Sequence, residues 1–119
     1  MSKANYFEQA ISWAKRRRIT NLKANYEEFE TPSAFSRPDE EQPYIPDITG
    51  RRTGRKFYVE IALKTENVRR IVSKWKLLST LARHKGGKLF LLAPRGHKAF
   101  VERILDRYQI TNAKLVYLG

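Results

Sequence analysis

The chain has 119 residues, the length of one compact domain, and contains no cysteine. Disulfide scaffolds, zinc–thiolate sites and cysteine nucleophiles are therefore excluded. It carries 24 Lys and Arg against 12 Asp and Glu, a formal charge of +12. The excess is uneven: residues 1–47 hold 7 bases and 8 acids, whereas residues 48–119 hold 17 bases and 4 acids. A field of that sign attracts polyanions, and nucleic acid is the expected partner. MSKANYFEQA has no apolar signal core, and LFLLA is too short to span a bilayer. A cytoplasmic protein with no membrane partner is expected.

In chain order, Tyr6, Phe7, Ala10, Ile11, Trp13 and Ala14 recur at helical spacing and predict a helix over Ala4–Arg18. It closes on Lys15–Arg18, bases that suit a helix C-terminus. A strand is expected around Leu22–Phe29. Pro32, Pro38, Pro43 and Pro46 then interrupt a stretch with acids at Asp39–Glu41, which reads as a solvated loop or a lid. Two strand-like runs flank RRTGR as a hairpin. Asn67 caps a helix whose inward face holds Val68, Ile71, Val72, Trp75, Leu78, Ser79 and Ala82, and Gly86-Gly87 ends it. KLFLLA reads as a strand covered on both faces. A third helix over His97–Tyr108 turns Phe100, Val101, Ile104, Leu105 and Tyr108 inward, and AKLVYL is a final strand. The fold class is α/β: a single domain, 1–119, with a mixed central sheet and flanking helices.

The anomaly is Glu60, inside the apolar run FYVEIAL. Burying a lone carboxylate costs several kcal/mol, roughly, or forces its protonation. Alternation puts Phe57, Val59, Ile61 and Leu63 on the core face and Tyr58, Glu60, Ala62 and Lys64 on a mixed face that could line a cleft. If Thr53-Gly54 is the hairpin loop, Arg52 pairs with Arg55 and Asp47 lies opposite Glu60, with Cβ atoms about 5 Å apart. A Gly54-Arg55 loop would put Thr49 there instead. Facing carboxylates need a shared proton or a cation between them. Mg²⁺ suits two carboxylates plus water and phosphate oxygens, and salt bridges to nearby arginines are the alternative.

Pro46-Asp47, then Glu60 in an apolar strand with Lys64 beyond it, resembles the PD-(D/E)XK nuclease-like superfamily. The closest flavour is the archaeal Holliday-junction-resolvase type. The resemblance implies an αβββαβ restriction-endonuclease-like core, followed here by a C-terminal αβ. It implies Asp47 and Glu60 as ligands of Mg²⁺ or Mn²⁺, Glu8 as a third acidic member, and cleavage of DNA or RNA phosphodiesters, with DNA the expected partner. The family pattern has lysine two residues after the second acid, where this chain has Ala62. Lys64 is on the right face, but about 13 Å along the strand from Glu60 instead of about 6.6 Å. Lys74 is a further substitute. Arg51, Arg52, Arg55 and Lys56 on the hairpin, with Arg69, Arg70, Lys74 and Lys76 on the second helix, are the candidate phosphate contacts. The alternatives are a silent nucleic-acid-binding member and a small basic RNA-associated protein. A homodimer is left open. His84 and His97 lack partners at metal-ligand spacing and read as surface or capping residues.

Overall fold

The computed structural model describes residues 2–119. A short 3₁₀ turn, Lys3–Tyr6, leads into α1, Phe7–Arg16. Then come β1 Thr20–Ala24, β2 Ile48–Arg52, β3 Arg55–Ile61, α2 Val68–His84, β4 Leu89–Pro94, α3 Lys98–Arg107 and β5 Ala113–Leu118. The five strands form one mixed sheet in sequence order. β1, β2 and β3 are an antiparallel meander, and β3, β4 and β5 run parallel through the α2 and α3 crossovers. No helix among the described residues is long and apolar enough to cross a membrane.

Both faces of the sheet are covered. On one, Phe57, Val59 and Ile61 pack with Phe7, Ile11 and Trp13 of α1. On the other, Tyr58 and Ala62 pack with Val72, Trp75 and Leu78 of α2 and with Val101 and Ile104 of α3. The face expected to line a cleft is thus largely core, and Ala62 is fully buried in it. Trp13 and Trp75 are both core residues.

The hairpin turns at Thr53-Gly54, with φ of 49° and 77°, and pairs Arg52 with Arg55. Positive φ at both central residues gives the twist that a two-residue hairpin needs. The first expected strand is shorter and earlier than Leu22–Phe29. After Ala24 the chain turns back, with Glu27 at φ 44°, and the Ala24 N–H donates to the Glu30 carbonyl. Tyr26 and Phe29, whose spacing suggested a strand, pack from that turn against the α1 cluster, where Tyr26 stacks on Phe7. In the proline-rich segment, Phe35 and Tyr44 exchange backbone hydrogen bonds and Tyr44 is fully buried, so this loop is pinned to the body.

All three helices run the same way along the sheet. Lys3, at the start of the α1 region, reaches Asp47, while the Arg17 carbonyl at the other end accepts from Arg52. α2 starts beside Pro43 and finishes where the Lys85 carbonyl accepts from the Lys56 N–H. Gly87 lets those two segments approach, because a Cβ there would collide with the Lys56 carbonyl. α3 starts where His97 Nδ1 accepts from the Lys64 N–H. One end of the sheet therefore gathers helix N-termini, and the hairpin end gathers helix C-termini with their bases.

Candidate carboxylate–lysine site

The register Ile48–Val59, continued by one position, brings Asp47 beside Glu60 on the α2 face. Both are buried, at 4% and 1% exposure, and this is the clearest polar intrusion into the fold. Each carboxylate commits an oxygen to backbone. The Asp47 N–H donates to Glu60 Oε2 at 2.7 Å, and the Ile61 N–H donates to Asp47 Oδ2 at 2.9 Å. These bonds lock the two strand ends together and fix both side chains.

The outer oxygens meet two ammonium groups. Lys74 Nζ, from the first half of α2, is 2.9 Å from Glu60 Oε1 and 3.9 Å from Asp47 Oδ1. Lys3 Nζ donates to Asp47 Oδ1 at 3.1 Å and to Oδ2 at 2.9 Å, and stands 3.9 Å from Glu60 Oε1. Each lysine bridges both acids, so the facing carboxylates are compensated by side chains of the chain itself. Burial, then the charge of Asp47, pushes the Glu60 carboxyl above its ordinary range, while Lys74 and Lys3 pull the other way. Burial lowers the Lys3 ammonium, but Glu60 and Asp47 outweigh it and hold the pKa above its usual value.

Glu60, Lys3, Lys64, Thr65 and Lys74 line one cavity of about 250 Å³ with an apolar floor at Ile71 and Trp75. Lys64 stands at its exposed rim, and its side chain makes no ion pair among the described residues. The lysine that meets the carboxylates is Lys74. Glu8 does not join them: it is exposed on α1 and lines a different hollow with Ser12, Lys15 and Tyr26. The place expected for a third acid is held by Lys3. Among the described residues no group of three or more His, Cys, Asp or Glu side chains is arranged to hold a metal ion. Two carboxylate oxygens, Asp47 Oδ1 and Glu60 Oε1, remain free of backbone bonds and turn toward the same ammonium groups. They fit a divalent ion of the Mg²⁺ type, which needs only one or two carboxylates beside water and phosphate, once an ammonium gives way.

Lys74 carried a signal in the sequence. Read with Arg69, Arg70 and Lys76 it belongs to the polar face of the second helix, but it is also the i+3 neighbour of Ile71 at the edge of the stripe Ile71, Trp75, Leu78, and its side chain turns in to Glu60 with 14% exposure. Lys3 carried none.

The candidate phosphate contacts divide between the two ends of the sheet. Arg70 lies at the carboxylate end, stacked over the Tyr44 ring at 4.3 Å and donating to the Pro43 carbonyl. Arg69 is exposed beside it and lines a hollow with Arg37, Glu40 and Ser73. Lys76 is exposed about two turns further along α2. Arg51, Arg52, Arg55 and Lys56 lie at the hairpin end. Comparison with family models, with curated proteins and with solved structures returns no significant match.

Proposed function

We propose that this chain is a metal-dependent nuclease-like protein acting on nucleic-acid phosphodiesters, in which Lys74 supplies the ammonium that Ala62 lacks. The observation that carries this reading is the reach of Lys74 Nζ to both Glu60 and Asp47. Its further support is the strand order β1 to β5, with β3 and β4 parallel and the acids at the C-terminal end of β3. That arrangement agrees with the αβββαβ core implied by the PD-(D/E)XK resemblance. Open α/β sheets also bind ligands beyond the carboxyl ends of their strands.

Asp47 and Glu60 would hold Mg²⁺ or Mn²⁺, which when bound supplies a polarised water and neutralises charge on the phosphate. Lys74 is placed to stabilise the negative charge that grows on a phosphoryl oxygen in the transition state. Burial strengthens that interaction, because water screens it less. Arg69 and Arg70 line a separate hollow with Arg37 at the same end of the sheet, where a polyanion would approach.

The second reading is a silent nucleic-acid-binding protein, and Lys3 is the observation that favours it. With two lysines on two acids the site is already neutral, and a divalent ion must displace one of them. Supercoiled plasmid and branched DNA with Mg²⁺ or Mn²⁺ decide between the two. The nuclease reading expects cleavage by wild type, loss of cleavage in Glu60→Gln and Lys74→Ala, and retention in Lys64→Ala. It also expects a metal-dependent rise in melting temperature that Glu60→Gln removes. Wild type with neither cleavage nor a metal-dependent shift leaves the silent reading in place.

A further inference from the structure

We propose that the hairpin end of the same sheet face is a phosphate seat, in which Lys23, Arg51 and Lys56, with Asn21 and Thr49, hold a nucleic-acid backbone phosphate. The proposal rests on nucleic acid as the ligand but not on metal or cleavage.

Placement comes from the register. Thr49 pairs with Lys23 on one side and Tyr58 on the other, and Arg51 pairs with Lys56. Since alternate residues share a face, Lys23, Arg51 and Lys56 lie on the face that carries Asp47 and Glu60. Four residues along β2 or β3 separate the two places, about 13 Å, or roughly four steps of duplex rise. The side chains surround a hollow of about 110 Å³ lined by Asn21, Lys23, Thr49, Gly50, Arg51 and Lys56. That is the room of a few water molecules at about 30 Å³ each, enough for a phosphate group. Thr49 is buried in its wall, and β1 breaks register between Thr20 and Lys23, where Asn21 takes φ 53°.

The charge in this hollow has little internal compensation. Among the described residues Arg51 and Lys56 make no ion pair, and Lys23 pairs only with Glu30, whose side chain is 74% exposed. Lys56 Nζ is held 5.5 Å from the Tyr58 ring centroid. Burial, then Arg51, Lys23 and Lys85, push its ammonium below the usual lysine range. Helix dipoles account for Arg83, Lys85 and the Lys15–Arg18 run, which lie at helix C-termini, but not for bases on three adjacent strands. Like charges set side by side on a sheet destabilise it, and a bound phosphate would relieve them.

The test is fluorescence anisotropy of a labelled duplex over a range of sodium chloride, with a chelator and no divalent ion. Arg51→Gln, Lys56→Gln and their combination with Lys23→Gln should weaken binding, and the slope of log affinity against log salt should fall by about one for each base removed. Lys56→Arg should keep the wild-type slope. Lys114→Gln, an exposed base on β5, should change it little, although it alters net charge equally. A wild-type slope in the triple variant, an equal fall in Lys114→Gln, or tighter binding of poly-glutamate than of duplex would overturn the seat. Melting curves show that each variant is folded. If the slope falls as expected while wild type neither cuts nor responds to metal, the seat stands and the nuclease reading fails. If wild type cuts and the triple variant binds and cuts equally well, the reverse holds.

Discussion

The two ends of the β2–β3 face treat charge in opposite ways. At one end two acids and two bases are packed together, and every charged oxygen has a partner among them or in the backbone. At the other end bases crowd together with a single exposed acid in reach. A closed set of charges is specific and costly to break, because removing one member leaves a buried charge unpaired. An open set is cheap to alter and strongly salt-dependent. Chemistry requires fixed groups, and steering requires only charge, so the carboxylate end is where a reaction would sit and the hairpin end is where a polyanion would be held.

The largest expected effect breaks the closed end. Lys74→Met leaves Asp47 and Glu60 with Lys3 alone, and the folded state should lose about 3 kcal/mol. For a chain of this size that lowers the melting temperature by on the order of 10 °C. Combining it with Glu60→Gln should recover much of the loss, and the double-mutant cycle measures the coupling. A Lys74→Met protein that melts like wild type would show that the quartet is not closed.

Ala62→Lys probes the same end from within. The position is fully buried against the α2 and α3 cluster, so a lysine there overpacks the core and strands a charge. A loss of about 3 kcal/mol is expected by chemical denaturation, without gain of cleavage.

The acid–base balance has its own signature. Because burial and Asp47 raise the Glu60 carboxyl above its ordinary 4.5, the folded state binds that proton more tightly than the unfolded chain does. This contribution is fully present below that value and is lost as pH rises through the raised folded pKa. Glu60→Gln should therefore melt with a shallower fall in stability over that window than wild type. Equal slopes would mean that Lys3 and Lys74 cancel the burial effect.

The smallest effects belong to the open end. Thr53 is a β-branched residue at φ 49°, and Thr53→Asn should stabilise the hairpin by about 1 kcal/mol, as seen by thermal melting. Lys56→Met should raise the melting temperature slightly in the absence of nucleic acid, since it removes a half-buried charge from among like charges. A fall there would mean that the Lys56 stem packing on Tyr58 outweighs the repulsion.

Much of the architecture was legible in the sequence because it depends on local rules. Periodicity locates the three helices, and of the two hairpin registers open to the turn residues the fold takes the Thr53-Gly54 one, which carries Asp47 to Glu60. The first strand departs from its expected span because Tyr26 and Phe29 bury their rings from a turn, and spacing alone does not distinguish a buried turn from a strand. Glu60 announced itself as a polar residue in an apolar run, and Lys74 lies at the edge of the apolar stripe of α2. What joins them is the packing of α2 against the sheet, which no periodicity contains. Lys3 reaches Asp47 across 44 residues, and Glu8 turns away on α1, because the chain enters that helix through a short 3₁₀ turn. Local rules along the chain account for most of the elements, for the excess charge, and for two hairpin registers, one of which sets the acids face to face. Which cations answer them follows from the packing in three dimensions, because burial makes a carboxylate's partner a matter of distance in space rather than position along the chain.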